Sequence, residues 1–271
     1  MRKALSFSFI VVALILIQCK SVPLSGRSQL SLIGNDKIFP MSFDQYEQVK
    51  KESKIINGTD EARMIKRVGT RIQRAVEQYF REEGKPNYLS DYKWEYNLVD
   101  NDSTVNAWCM PGGKVAFYTG IMPICKDELG VAVVMGHEIA HAIANHGAER
   151  ISTQYAAQAG LATVSILLTG GGSGPSIPAE VIMQGAGAAT SLGILAFSRK
   201  HESESDKLGL YFMAMAGYNP QEAPKFWERM AANSGGEAPP EFTSTHPSHD
   251  TRISDLKANM PKAMEYYRKS Q

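Results

Sequence analysis

One stretch of the chain, Gly136-His137-Glu138-Ile139-Ala140-His141, sets three ionisable side chains in the middle of an apolar helix. Asp127 stands where an N-cap belongs, and Leu129, Val133, Val134, Ile139 and Ile143 carry the apolar pattern through Ala144 with no proline to interrupt it. Histidines four residues apart share a helix face, so His137 and His141 can reach one metal ion. Glu138 between them lies beside the open coordination position, where a general base is needed. The plainer reading is a buried amphipathic helix whose histidines are satisfied by carbonyls.

A catalytic zinc site of this kind takes a third protein ligand and keeps its fourth position for water. The extended metzincin pattern fails, because the positions that would need glycine and histidine hold Ala144 and Gly147. His146 falls one residue too early. A glutamate on a later helix remains, and the run from Arg199 to Gly209 supplies it. Glu202 and Asp206 are one helical turn apart on one face. Glu202 fits the third ligand, and Asp206 fits the acceptor that fixes a ligand imidazole's tautomer. Glu204, two residues from both, is expected to point away. Alone, this acidic run would read as a solvated, salt-bridged helix start.

Four blocks now stand in order: Asn106 to Lys114 running on to Tyr118-Thr119-Gly120; Gly136 to His141 with its tail Asn145 to Arg150; Glu202 to Gly209; and Thr245-His246-Pro247 with Arg252. Together they resemble the gluzincin zinc metallopeptidases, the family of the CAAX prenyl protease and the OMA-type peptidases, and most of all its bacterial periplasmic lipoprotein branch. The resemblance implies one Zn2+ per subunit on His137, His141 and Glu202, with Glu138 as base and Asp206 behind a ligand. It also implies that the strand through Asn106, Ala107 and Trp108 runs along the cleft. An extended peptide would add to that strand's edge, which gives affinity with little sequence selectivity. For His246 the resemblance leaves two roles, a catalytic donor to the oxyanion or an inhibitory fourth ligand, with Arg252 in support. Otherwise His246 to His249 is a polar loop, and Arg252 only caps or pairs locally.

The other end bears on the compartment. Met1-Arg2-Lys3 is basic, Ser6 to Ile17 is mostly apolar, and Leu16-Ile17-Gln18-Cys19 follows. Residues 1–18 therefore read as a lipoprotein signal peptide and Cys19 as the lipidated residue, with Gln18 departing from the usual small residue. An uncleaved anchor is the alternative. This implies a periplasm-facing protein held by its lipid to a bacterial membrane, the outer membrane favoured. Residues 19–40 read as a tether without periodicity. With 29 basic and 28 acidic residues, the chain offers no basic patch for nucleic acid. Cys109 and Cys125 could pair in an oxidising compartment, or Cys109 could remain free and buried.

Residues 41–271 are long enough for one core, an α+β and mainly helical domain of zincin-like type. Helices are expected at Ser42 to Asn57 and at Thr59 to Phe80, the second with Ala62, Ile65, Val68, Ile72, Val76 and Tyr79 on one stripe. Lys93 to Val99, Thr104 to Cys109 and Lys114 to Tyr118 read as strands of a small antiparallel sheet ahead of the zinc helix. Residues 156–197 hold two Ala- and Gly-rich stretches about Gly170 to Gly174, expected to be packed helices or a flap rather than membrane spans. Further helices end near Met215 and Met230, the latter with Phe226 and Trp227 in the core, and another spans Asp250 to Asn259. The function these readings imply is a zinc endopeptidase acting on damaged or misassembled envelope proteins. The competing reading is a chaperone or scaffold that keeps zinc for stability, against which the intact Glu138 argues, since a structural site needs no base. A prenyl protein protease would need a multispanning membrane body.

Overall fold

The computed structural model describes residues 19–156, 198–232, 246 and 251–271. Residues 1–18, expected to be a signal peptide, nearly all of the Ala- and Gly-rich stretch with Gly170 to Gly174, and the neighbours of His246 in sequence lie outside the described residues.

Two short strands, β1 (Cys19–Ser21) and β2 (Ser28–Leu30), pair as an antiparallel hairpin. Helix α1 (Asn35–Glu52) follows at once and runs through Pro40, with Val22, Ile33, Ile38 and Phe39 all buried in the main core. The expected tether at 19–40 is thus packed structure. Three-residue strands have no period to read, and Pro40, which sits inside the helix, reads in sequence as a break. The segment expected to be helical to Asn57 ends at Glu52 and gives way to β3 (Ile55–Ile56).

Helix α2 (Asp60–Glu82) begins under Thr59, whose hydroxyl accepts from the Ala62 amide at 3.2 Å. Its stripe is buried as expected, with Phe80 rather than Tyr79 completing it. Strands β4 (Glu95–Val99), β5 (Ala107–Met110) and β6 (Lys114–Tyr118) join β3 in one sheet of order β3-β4-β6-β5. The sheet is mixed, not antiparallel: β6 lies parallel to β4 and antiparallel to β5. The turn at Pro111 to Gly113 makes a hairpin of β5 and β6, but the longer connection from β4 lets β5 pass to the outside, so β6 is the strand that meets β4. Alternation along a strand reveals its faces and says nothing of its partner. One face, with Leu98, Val115 and Phe117, meets α2 and the buried centre; the other, with Val99, Ala116 and Tyr118, meets Tyr46 and Val49 of α1.

After the short α3 (Met122–Cys125), helix α4 (Glu128–Ile143) carries the histidine motif, buried from Gly130 to Ile143. The Asp127 carboxylate caps it, accepting from Leu129 and Gly130. The chain is helical again over 146–156. Helix α5 (Arg199–Met215) crosses α4 where two glycines meet: a Cβ on Gly209 would stand 2.7 Å from the backbone of Gly136 and His137. Helices α6 (Glu222–Ala232) and α7 (Arg252–Ser270) pack on this pair. The last helix extends well beyond the expected Asn259, with Pro261 inside it. Among the described residues no helix is long and apolar enough to cross a membrane. Cys109 and Cys125 are both free thiols.

Candidate metal centre

The glycine crossing brings the carboxylates of α5 against the histidines of α4. Glu202 is fully buried, with one oxygen 3.3 Å from Nε2 of His137 and the other 3.2 Å from Nε2 of His141. The two imidazole nitrogens are themselves 3.1 Å apart. His246 completes the group, its Nδ1 lying 3.4 Å from His137 Nε2 and 3.1 Å from Glu202. All four donors fall within 4.8 Å of one another and all four residues are buried. A tetrahedral zinc centre with bonds of about 2.1 Å has donor-to-donor edges of about 3.4 Å; the neighbouring pairs above, at 3.1 to 3.4 Å, are close to that, within a set that spans up to 4.8 Å. Converging imidazole nitrogens and a carboxylate, sealed from water, suit one zinc ion. The three ligands placed by spacing and resemblance are together, and His246 reaches the fourth corner.

The electrostatics follow from burial and pairing. Burial alone would depress the His137 imidazole, but hydrogen bonds with Asp206 and Glu202 bring it up to about 9. Burial holds His141 well below its ordinary value, with Glu202 opposing. Glu202 itself lies far below the carboxylate range: burial would raise it, and the surrounding histidines outweigh that. Imidazoles bind a metal only when unprotonated, so protons compete with metal at this cluster.

Glu138 sits apart from these bonds. It is 1% exposed, and its Oε1 makes no hydrogen bond among the described residues, with His246 Nε2 3.5 Å away. Burial raises its carboxyl above the usual value. Asp206 lies behind the cluster, 2.9 Å from Nδ1 of His137, and the Arg252 guanidinium grips it through Nε at 2.7 Å and Nη2 at 2.8 Å. Arg252 in turn lies over the Trp227 ring, 3.4 Å from its centre, and Trp227 meets the His137 ring edge to face. Trp227 belongs to the core, as expected, and also walls the site. Arg252 is buried against Asp206 and Glu202 rather than capping its own helix.

Strand β5 is the sheet edge nearest α4. Ala107 and Cys109 face the core side, whereas the Trp108 ring turns to the opposite face, packing edge to face on Tyr46 and donating to the Tyr118 hydroxyl at 3.2 Å. Asn106 is fully buried; its Oδ1 accepts from the Ala107 amide, and its Nδ2 has no hydrogen-bond partner among the described residues.

Glu204 points away from the metal cluster, as expected, and into a second buried network: its Oε2 is 2.9 Å from His146 Nε2 and 2.7 Å from Arg27 Nε. His146, too early to be a ligand, is fully buried against His141, Nδ1 to Nδ1 at 2.9 Å. The clue in the sequence is its spacing of five residues from a ligand histidine, which places it just beyond the helix end where Asn145 takes a positive φ of 53°.

Two helix-borne histidines and a glutamate from a second helix, around space for one ion, define a zinc centre of the gluzincin type. Residues 67–260 match Peptidase family M48, and the chain belongs to that family. The mitochondrial metalloendopeptidase OMA1 of Saccharomyces cerevisiae is 36% identical over 207 residues, covering 73% of this chain and 56% of that protein. OMA1 of Schizosaccharomyces pombe is 34% identical over 249 residues, 89% of this chain and 66% of its own length. The beta-barrel assembly-enhancing protease of Escherichia coli is 30% identical over 178 residues, 63% of this chain and 36% of its own. The chain thus spans roughly one to two thirds of these relatives.

Proposed function

We propose that this chain is a zinc-dependent endopeptidase of the bacterial cell envelope, tethered through lipid on Cys19 and acting on damaged or misassembled envelope proteins. The observation that carries the hydrolytic reading is Glu138: a buried carboxylate oxygen with no hydrogen bond among the described residues, 3.5 Å from His246 Nε2 and beside a set of donors fit for zinc. A structural metal site has no use for such a group. The envelope setting rests on the leader-like segment and cysteine at the start of the chain and on likeness to a beta-barrel assembly-enhancing protease.

Bound zinc supplies a Lewis acid that polarises a substrate carbonyl and activates water. Glu138 takes the proton of the attacking water and passes it to the leaving amine, a role for which its raised pKa suits it. Asp206, held by Arg252, keeps the His137 ring in the tautomer that presents Nε2 inward. A substrate peptide lies along the edge of β5, where the spare Asn106 Nδ2 can donate to its backbone and Trp108 stiffens the strand from behind. His246 Nδ1 stands at the fourth corner of the donor set, which favours an inhibitory ligand over an oxyanion donor. Its departure opens the site.

The test is incubation of the purified chain with casein. Cleavage that stops with a zinc chelator and returns on adding zinc is expected. Cleavage indifferent to chelation would refute a zinc peptidase, and an inert protein that still binds zinc tightly would favour the scaffold.

A further inference from the structure

The hydrolytic reading leaves unused a buried polar chain on the far side of His141. His141 presents Nε2 to Glu202, so when that nitrogen is a metal donor its ring hydrogen is on Nδ1. The neighbour there is Nδ1 of His146, at 2.9 Å, which can only accept if His146 carries its own hydrogen on Nε2. That Nε2 faces the Glu204 carboxylate at 2.9 Å. One carboxylate therefore sets the tautomer of both rings, with the Ser205 hydroxyl 3.3 Å from His146 Nδ1 as a further contact.

Glu204 is held in turn from the start of the chain. Arg27, in the loop between β1 and β2, gives its Nε to Glu204 at 2.7 Å and both terminal nitrogens to Glu149, at 2.7 and 2.6 Å. Ser25 of the same loop donates to the other Glu204 oxygen. Glu149 also meets His201 Nε2 at 3.1 Å, and the His201 ring stacks on His146 with centroids 4.4 Å apart. The loop that carries Arg27 is itself closed by the Val22 amide on the Arg27 carbonyl at 2.8 Å, with Gly26 at a φ of 70°. An arginine fork locked on two carboxylates is a rigid support. The arrangement repeats the one on the other ligand, where Arg252 holds Asp206 and Asp206 holds His137.

We propose that His146, Glu204 and Arg27 are positioning residues for the ligand His141, which makes the loop between β1 and β2 a working part of the metal centre. The inference rests on the zinc reading of that centre. Loss of the partner that orients a ligand histidine costs about 10- to 100-fold in metal affinity.

The test uses the full chain and measures the zinc dissociation constant by competition with a chromophoric chelator, together with the visible spectrum of the cobalt-loaded protein. His146→Phe is expected to weaken zinc by about 10- to 100-fold and shift the cobalt bands. His146→Gln, whose amide oxygen can accept from Nδ1 of His141, is expected to recover most of the loss. Arg27→Met is expected to weaken zinc several-fold, whereas Arg67→Met, which breaks an exposed pair with Glu128, leaves affinity and spectrum alone. If His146→Phe does not fold, the comparison of Arg27→Met with Arg67→Met decides. Wild-type zinc affinity and an unshifted cobalt spectrum in Arg27→Met would overturn the inference, as would an Arg67→Met loss of equal size. A wild-type chain that takes up no zinc would instead overturn the metal-centre reading itself.

Discussion

Replacing Gly209 by alanine tests whether the crossing of α4 and α5 sets the geometry of the site. The new Cβ would stand 2.7 Å from the Gly136 carbonyl carbon and the His137 amide nitrogen, both backbone atoms that cannot rotate aside. Reaching 3.4 Å, where ordinary contact begins, requires the helices to part by about 0.7 Å. Overpacking of this kind costs about 1–3 kcal/mol, or roughly 2–10 °C in melting temperature for a chain of this size. The same shift acts on the site, because Asp206 and Glu202 lie on α5 one and two turns before the crossing. The Asp206 to His137 bond, 2.9 Å now, would stretch beyond hydrogen-bonding range, and the Glu202 oxygens would leave the donor tetrahedron. A displacement approaching 1 Å costs about a hundredfold in rate. Zinc affinity, casein cleavage and melting should fall together, and Gly136→Ala should reproduce the effect from the other helix, since its Cβ would meet the Gly209 carbonyl oxygen at 2.7 Å. Gly209→Ala with wild-type zinc content and cleavage would refute the reasoning.

Glu138→Gln should keep zinc and lose cleavage by several orders of magnitude, because the donors stay while the base is gone; undiminished cleavage with zinc bound would contradict the role given to Glu138. Glu202→Ala should abolish tight zinc binding and Glu204→Ala should weaken it less, a ranking that metal analysis after dialysis would reveal, and the reverse order would misplace the third ligand. His246→Ala should retain zinc and cleave faster than wild type, as expected of a ligand that blocks the fourth corner; a loss of about a hundredfold with zinc retained would make it an oxyanion donor instead. Acid stability should depend on Glu149. Burial would raise its carboxyl, yet His201 and Arg27 bring it down to about 2, so its contribution is full above the ordinary carboxylate value and is lost as pH falls through the folded one. Urea midpoints measured between about pH 5 and pH 2 should fall more steeply for wild type than for Glu149→Gln, and equal slopes would show that the pair contributes nothing.

The site was legible where one helix carries its own evidence. His137, Glu138 and His141 share a face by spacing alone, and Glu202 with Asp206 shows the same one-turn signature. His146 was dismissed because it fails as a ligand, and its spacing of five residues from His141, the one clue in the sequence, does not say that it serves the other nitrogen of that ring. Its supports, Glu204 and Arg27, are drawn from helix and hairpin far apart in the chain, so only the fold pairs them. The strand order escaped for a related reason: alternation in Lys114 to Tyr118 gives its two faces, and the choice of β4 as parallel neighbour depends on how the β5–β6 hairpin swings. The hairpin at 19–30 escaped because strands of three residues leave no period in the sequence.

The two arginine clamps also set when the centre can exist. Arg27 lies before every candidate ligand in the chain and Arg252 after every one, and between them the donors come from α4, α5 and His246. Nothing local can assemble such a site, because its contacts close only over long sequence separations. A chain still being synthesised can therefore form α4, histidines included, and remain without a finished centre until Arg252 has reached Asp206. Completion of the fold and completion of the metal centre are then a single event.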